Sequence, residues 1–86
     1  MEILLRKAFV KAYTKLPNPQ QQFVDQALII FKGSPSDPGL RDHALKGKMK
    51  GLRAFSASHD LRIIYREEGG FIVVTLLDVG THNQVY

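Results

Sequence analysis

The spacing of apolar residues along this chain changes near its middle, and that change predicts two kinds of structure. From Leu5 to Leu16, the residues Leu5, Phe9, Ala12, Tyr13 and Leu16 recur every three or four positions, which predicts a helix over residues 6–16. Lys7, Lys11 and Lys15 step by four on the opposite side and read as a solvated face. Pro17 ends that helix. Asn18 then stands as an N-cap, Pro19 suits the first helical position, and Gln21 sits where a capping-box partner reaches back. Phe23, Val24, Ala27, Leu28, Ile30 and Phe31 give the second helix a broad apolar stripe, with Gly33 as its closing residue and Ser34-Pro35 preventing continuation. The pattern predicts two antiparallel helices joined by a tight turn. The EILL run before them reads as an edge strand.

From Leu52 the period shortens to two. Strands are expected over 52–57, 61–67 and 71–80, with a hairpin turn at Glu68-Gly69-Gly70. Ile72 to Leu77 is apolar on both faces, as suits a central strand covered by the helices on one side. Residues 34–51 are rich in Gly and Pro and read as loop, with a turn or short strand near Leu45. Residues 82–86 are expected to add one more strand or turn. The order helix–helix–strand–strand–strand predicts a single α+β domain over 1–86, an N-terminal helical hairpin packed on one face of a small antiparallel β-sheet.

Composition narrows the chemistry. The 86 residues contain no cysteine, which excludes a disulfide framework, a thiolate metal site and a cysteine nucleophile. It also fits a reducing cytoplasm. No apolar run reaches the roughly 18–20 residues of a membrane span, and the N-terminus has no signal-peptide pattern, so a cytoplasmic protein without a membrane partner is expected. The net charge of +4 is unevenly spread. Residues 40–66 hold seven Lys/Arg against two acids, and the remainder holds five against six. A concentrated basic region attracts phosphates or an acidic partner.

Three scattered histidines offer no metal-ligand spacing, and no phosphate-binding glycine motif or nucleophile elbow is present, so neither a metal nor a small-molecule cofactor is expected. What is left is acid–base chemistry by His, Asp and Tyr beside cations. RNA cleavage needs that set: a base for the ribose 2′-OH, cations for the phosphorane and an acid for the departing 5′ oxygen. The candidates are His43, His59, Asp60, His82 and Tyr86, with Lys46, Lys48, Lys50, Arg53 and Arg62 as phosphate contacts. Each also has an ordinary structural reading. His43 and His59 stand in loop-like sequence, Asp60 suits a turn, and the lysines suit a solvated loop.

Taken together, the segments DHALKGKMKGLRAF, LRIIYR and LLDVGTHNQVY resemble the RelE/ParE superfamily of toxins from type II toxin–antitoxin systems, and within it the YafQ-like branch. Asp42, His43, Leu45, Gly47, Lys50 and Arg53 fit a DH-x-L-x-G-x-x-K-x-x-R motif, and Gly80, Thr81, His82, Val85 and Tyr86 fit the C-terminal G-[TS]-H-x-x-[LV]-[FY]. The resemblance implies a RelE-like toxin fold that cleaves mRNA on the ribosome through the 2′-OH without metal and is neutralised by a cognate antitoxin. It carries catalytic roles to His43, Asp60, His82 and Tyr86. This chain departs from the branch at Ser56, where relatives have a histidine, at His59, where they tend to have proline, and at Leu61, where an aromatic often stands. His59 is the candidate replacement for the histidine absent at Ser56. The alternatives are a non-enzymatic ParE-like inhibitor of DNA gyrase and a nucleic-acid-binding module without catalysis.

Overall fold

The structure is a computed structural model describing residues 1–86. In chain order it contains β1 (Glu2–Leu5), α1 (Lys7–Thr14), α2 (Asn18–Gly33), β2 (His43–Ala44), β3 (Arg53–Ser56), β4 (Leu61–Glu68), β5 (Val73–Thr81) and α3 (His82–Val85), with 3-10 turns at Pro38–Leu40 and Gly47–Met49. One sheet orders its strands β1-β5-β4-β3-β2. The β2–β3, β3–β4 and β4–β5 pairs are antiparallel. The expected α+β architecture holds, but the sheet is mixed, because β1 pairs parallel to β5 with Glu2 opposite Val73. Parallel neighbours need a crossover, and here everything from α1 to β4 lies between the two strands.

Residues of α1 and α2 (Phe9, Val24, Ala27, Phe31) share a cluster with Phe55 of β3, Leu61, Ile63 and Tyr65 of β4, and Val74, Leu76 and Val79 of β5. Phe31 is its centre. Its ring stacks on Phe55 at 4.4 Å and meets Tyr65 edge-on at 5.0 Å, separations at which aromatic pairs add to plain area burial. The strand members alternate, so Ala54 and Ile64, buried as completely, lie on the other face, outside this cluster.

A bulge keeps β5 in phase with that core. Ile64 pairs with Asp78 while Tyr65 pairs with Leu76, so Leu77 has no partner of its own. The extra residue shifts the alternation by one, which is why Val74 and Leu76 before it and Val79 after it belong to one cluster. Asp78 Oδ1 accepts the Val79 N–H at 2.8 Å beside the irregularity.

Three local expectations are corrected. Pro17, not Asn18, is the N-cap of α2, and its carbonyl accepts the N–H groups of Gln20 and Gln21 at 2.9 and 3.0 Å. The helix therefore starts one residue earlier, and the Gln21 side chain donates to the Tyr13 carbonyl at 3.0 Å, tying α2 to α1. Gly33 is the last helical residue rather than a left-handed terminator, and Ser34 closes the helix through its N–H to Ile30 O. Residues 82–85 form a helix rather than a strand or turn. Thr81 and Gln84 make a reciprocal capping box there, with Gln84 Oε1 2.8 Å from the Thr81 N–H.

The geometry of Phe31 sets an expected contrast. Phe31→Ala removes a fully buried ring and lowers unfolding free energy by about 3–5 kcal/mol, whereas Ile29→Ala, 71% exposed on the same helix, changes it by less than about 0.5 kcal/mol. Urea unfolding of the two variants checks the difference.

Candidate functional site

The site begins with a charge placed against the core. Asp42 precedes β2, and its side chain is only 8% exposed. Arg53 of β3 reaches it through Nη2 at 2.7 Å and Nε at 2.9 Å. The Tyr65 hydroxyl donates to the other Asp42 oxygen and accepts from Arg53 Nε at 3.2 Å. Burial, and then the bond to Asp42, push the Tyr65 hydroxyl far above its ordinary range, with Arg53 acting in the opposite direction. Arg53 lies on the side of the sheet that the helices cover, in register with Tyr65.

The network fixes what β2 turns the other way. His43 pairs in register with Ala54, on the face away from the helices. Its Nδ1 lies 3.0 Å from the Arg41 carbonyl, a contact satisfied by the Nδ1–H tautomer. Nε2 is then the nitrogen with a free lone pair. Arg41 achieves this in a left-handed conformation, φ 52°, which is uncommon for any residue but glycine.

The C-terminal helix α3 completes the face. A Cβ on Gly80 would stand 2.8 Å from Gln84 Oε1 and 3.1 Å from Val85 Cγ1, so a larger residue here would push against the Gln84 cap and the packing of α3 on β5. His82 and Tyr86, one turn apart on α3, meet edge to face at 4.5 Å. An open cavity of about 410 Å³ is lined by His43, Leu45, Lys46, Lys48, Met49, His82 and Tyr86. It brings two histidines, a tyrosine and two lysines together without an Asp or Glu side chain. Burial raises the Tyr86 hydroxyl pKa, with the charge of Arg62 pulling it down, so the phenol stays protonated.

The other predicted residues are distributed differently. Arg62 Nη1 donates to the carbonyls of Ser58 and His59, each at 3.1 Å, and of Leu61 at 3.3 Å, holding the β3–β4 turn. A second cavity of about 340 Å³ contains Arg41, Ser56, His59 and Arg62. Ser56 and His59 thus share one space. Asp60 is exposed on the turn, and Lys50 is exposed after the Gly47–Met49 turn. Neither lines these two cavities. The sequence reading missed Tyr65, Arg41 and the Thr81–Gln84 cap. The first two have no local signal, but Thr-x-x-Gln is a legible capping pattern. No group of three or more His, Asp or Glu side chains is placed to hold a metal ion.

The profile of a family described as bacterial toxin of type II toxin-antitoxin system, YafQ, matches residues 1–86. No curated protein sequence matches. Among solved structures, YafQ from E. coli strain BL21(DE3) is similar with a TM-score of 0.81 at 19% identity, covering 99% of this chain and 97% of that one. A copper-bound mutant toxin from Helicobacter pylori is similar with a TM-score of 0.77 at 25% identity, covering 100% and 99%. The toxin of the E. coli DinJ-YafQ complex gives 0.72 at 20% identity, covering 99% and 97%.

The Asp42 network has a measurable weight. Asp42→Ala strands Arg53, and because that side chain is 34% exposed the expected loss is about 2–3 kcal/mol, below the ~3–5 kcal/mol of a fully buried pair. Tyr65 adds a pH dependence. Its unfolded hydroxyl ionises near pH 10, while the folded one stays neutral to higher pH. As pH climbs above 10 the unfolded chain releases a proton that the native state keeps, so stability present below that pH declines. Tyr65→Phe flattens this decline in urea unfolding at about pH 9 and about pH 11; an equal slope in both proteins rules the assignment out.

Proposed function

The chain belongs to the YafQ family of toxins of type II toxin–antitoxin systems, and from that premise we propose that it is an endoribonuclease that cleaves mRNA on the ribosome and is silenced by a cognate antitoxin. The observation that carries the reading is the cavity joining His43, Lys46, Lys48, His82 and Tyr86. The partner reading draws on the E. coli relative found as the DinJ-YafQ complex.

The chemistry follows from the groups present. His43, with Nδ1–H engaged by the Arg41 carbonyl, takes the 2′-OH proton at Nε2. The 2′ oxygen attacks the adjacent phosphorus in line and the P–O5′ bond breaks. His82 gives a ring proton to the departing 5′ oxygen. A 2′,3′-cyclic phosphate and a 5′-hydroxyl result, with no cofactor consumed. Lys46 and Lys48 stabilise the charge on the phosphorane. Tyr86, kept protonated, offers its ring to a base and its hydroxyl as a donor. His59 and Asp60 stand on the β3–β4 turn, where they face a flanking nucleotide rather than the scissile phosphate. Lys50 contributes long-range attraction, and Arg53, engaged by Asp42, acts on the position of β2.

The test is expression without antitoxin followed by mapping of mRNA 5′ ends. Wild type is expected to give new ends and growth arrest. His82→Ala is expected to lose ~10²–10⁴ of cleavage and Tyr86→Ala about tenfold or more, both with little change in urea melts because neither residue belongs to the hydrophobic core cluster. Growth arrest with intact mRNA sinks the proposal.

A further inference from the structure

Arg41 lines two cavities, one balanced in charge and one cationic. The larger, about 560 Å³, also holds Arg53 but contains Asp37 and Asp42, so its cations are matched by carboxylates. The smaller, about 340 Å³, contains Arg41, Arg62, His59, Ser56 and Ser58 and no carboxylate. Only one of its seven lining residues is hydrophobic. Such a space is cationic, rich in donors and open to solvent.

Two features make it a built anion site rather than a solvated patch. Arg62 is anchored through Nη1 to three backbone carbonyls, which holds its guanidinium in place while Nε and Nη2 make no bond within the protein. A guanidinium fixed in advance loses little freedom when it grips an oxyanion. The backbone of Arg41 is left-handed, φ 52°, a conformation of the kind that persists where surrounding structure enforces it, and it starts the exposed side chain from a defined point on the cavity wall. The same residue gives its carbonyl to His43, so the backbone from which the Arg41 side chain springs and the His43 ring are tied to each other. Ser56 pairs in register with Arg62 and stands two residues from Ala54, the partner of His43, on the same face of the sheet. The cavity therefore lies beside the proposed cleavage site on one continuous surface.

We propose that this second cavity is a subsite for a non-scissile phosphate of the RNA strand, gripped by Arg41 and Arg62 with the Ser56 and Ser58 hydroxyls. The assignment rests on the ribonuclease reading for its ligand. Phosphodiester is favoured over an acidic peptide because the site continues the surface that carries His43. His59 lines the same space and offers a ring N–H to the same phosphate.

The glycine variant separates backbone from side chain. Arg41→Gly keeps the left-handed conformation, and with it the carbonyl on His43, but deletes the guanidinium. Binding of a short, fully 2′-O-methylated RNA, which cannot be cleaved, is followed by fluorescence anisotropy against salt. Losing one phosphate contact is expected to weaken binding about tenfold at low salt and to lower the slope of log K against log salt by about 0.7. Ser56→Asp, which places a carboxylate in the cavity without touching Arg41, is expected to give the same direction of change. Full affinity and an unchanged slope in both variants overturn the subsite, as does a loss confined to binding of the antitoxin. Salt-dependent RNA binding that both variants weaken, by a wild-type protein that leaves mRNA intact in cells, supports the subsite while removing the ribonuclease reading.

Discussion

The carboxylate of Asp42 is the constraint on which the site depends. β2 has two residues, both exposed, at the edge of the sheet. Neither burial nor a long ladder holds it. What holds it is the ion pair to Arg53 and the hydroxyl of Tyr65, whose ring packs against Phe31, Phe55 and Phe71. One tyrosine thus connects the centre of the hydrophobic core to the strand that carries His43. A paired and hydrogen-bonded buried charge contributes modest net stability, but a broken one is expensive. That asymmetry makes the network a means of fixing register, and an error of one residue in β2 would turn His43 to the helix side.

The opposite end of the site is fixed by a different means. α3 is four residues long and has no buried residue. A helix this short has no stability of its own. It persists because the capping box satisfies its first amides and because Gly80 admits Gln84 and Val85 against β5. The bulge at Leu77 matters here as well. It reverses the facing of every later residue of β5, so the end of the strand reaches α3 in a phase that the apolar run Ile72–Leu77 does not reveal.

Those two devices mark what could be read from the chain. Both long helices, the three strands after Leu52 and the one-sided packing follow from periods of 3.6 and 2, because repeated burial writes itself into the order of residues. The parallel pairing of β1 with β5 does not, since Glu2 and Val73 are far apart in sequence and neither carries a pairing preference. The start of α2 departs from the local signal of Asn18-Pro19: Pro17 caps the helix, and the Gln21 side chain bonds to the Tyr13 carbonyl of α1 instead of reaching back to an N-cap amide. His43, Lys46, Lys48, His82 and Tyr86 were candidates by residue type and motif, and their convergence needed the fold. Arg53 shows the limit of reading charge alone. It shares a strand face with Phe55, and its carboxylate partner lies eleven residues upstream.

Charge pairing turns the basic segment into a one-sided field. Among the seven cations of residues 40–66, Arg53 is matched by Asp42 and Arg66 by Glu68 at 3.8 Å. Arg41, Lys46, Lys48, Lys50 and Arg62 have no carboxylate within salt-bridge distance. Four of these line the two adjoining cavities. Unmatched like charges repel and give the folded state nothing in return until an anion arrives. On the function proposed above, RNA and an acidic segment of an antitoxin would draw on the same cations, and occupancy by one would exclude the other over the shared surface. Inhibition of that kind would need no change in the geometry that Asp42 and the α3 cap enforce, only cover for the charge that the carboxylates leave open.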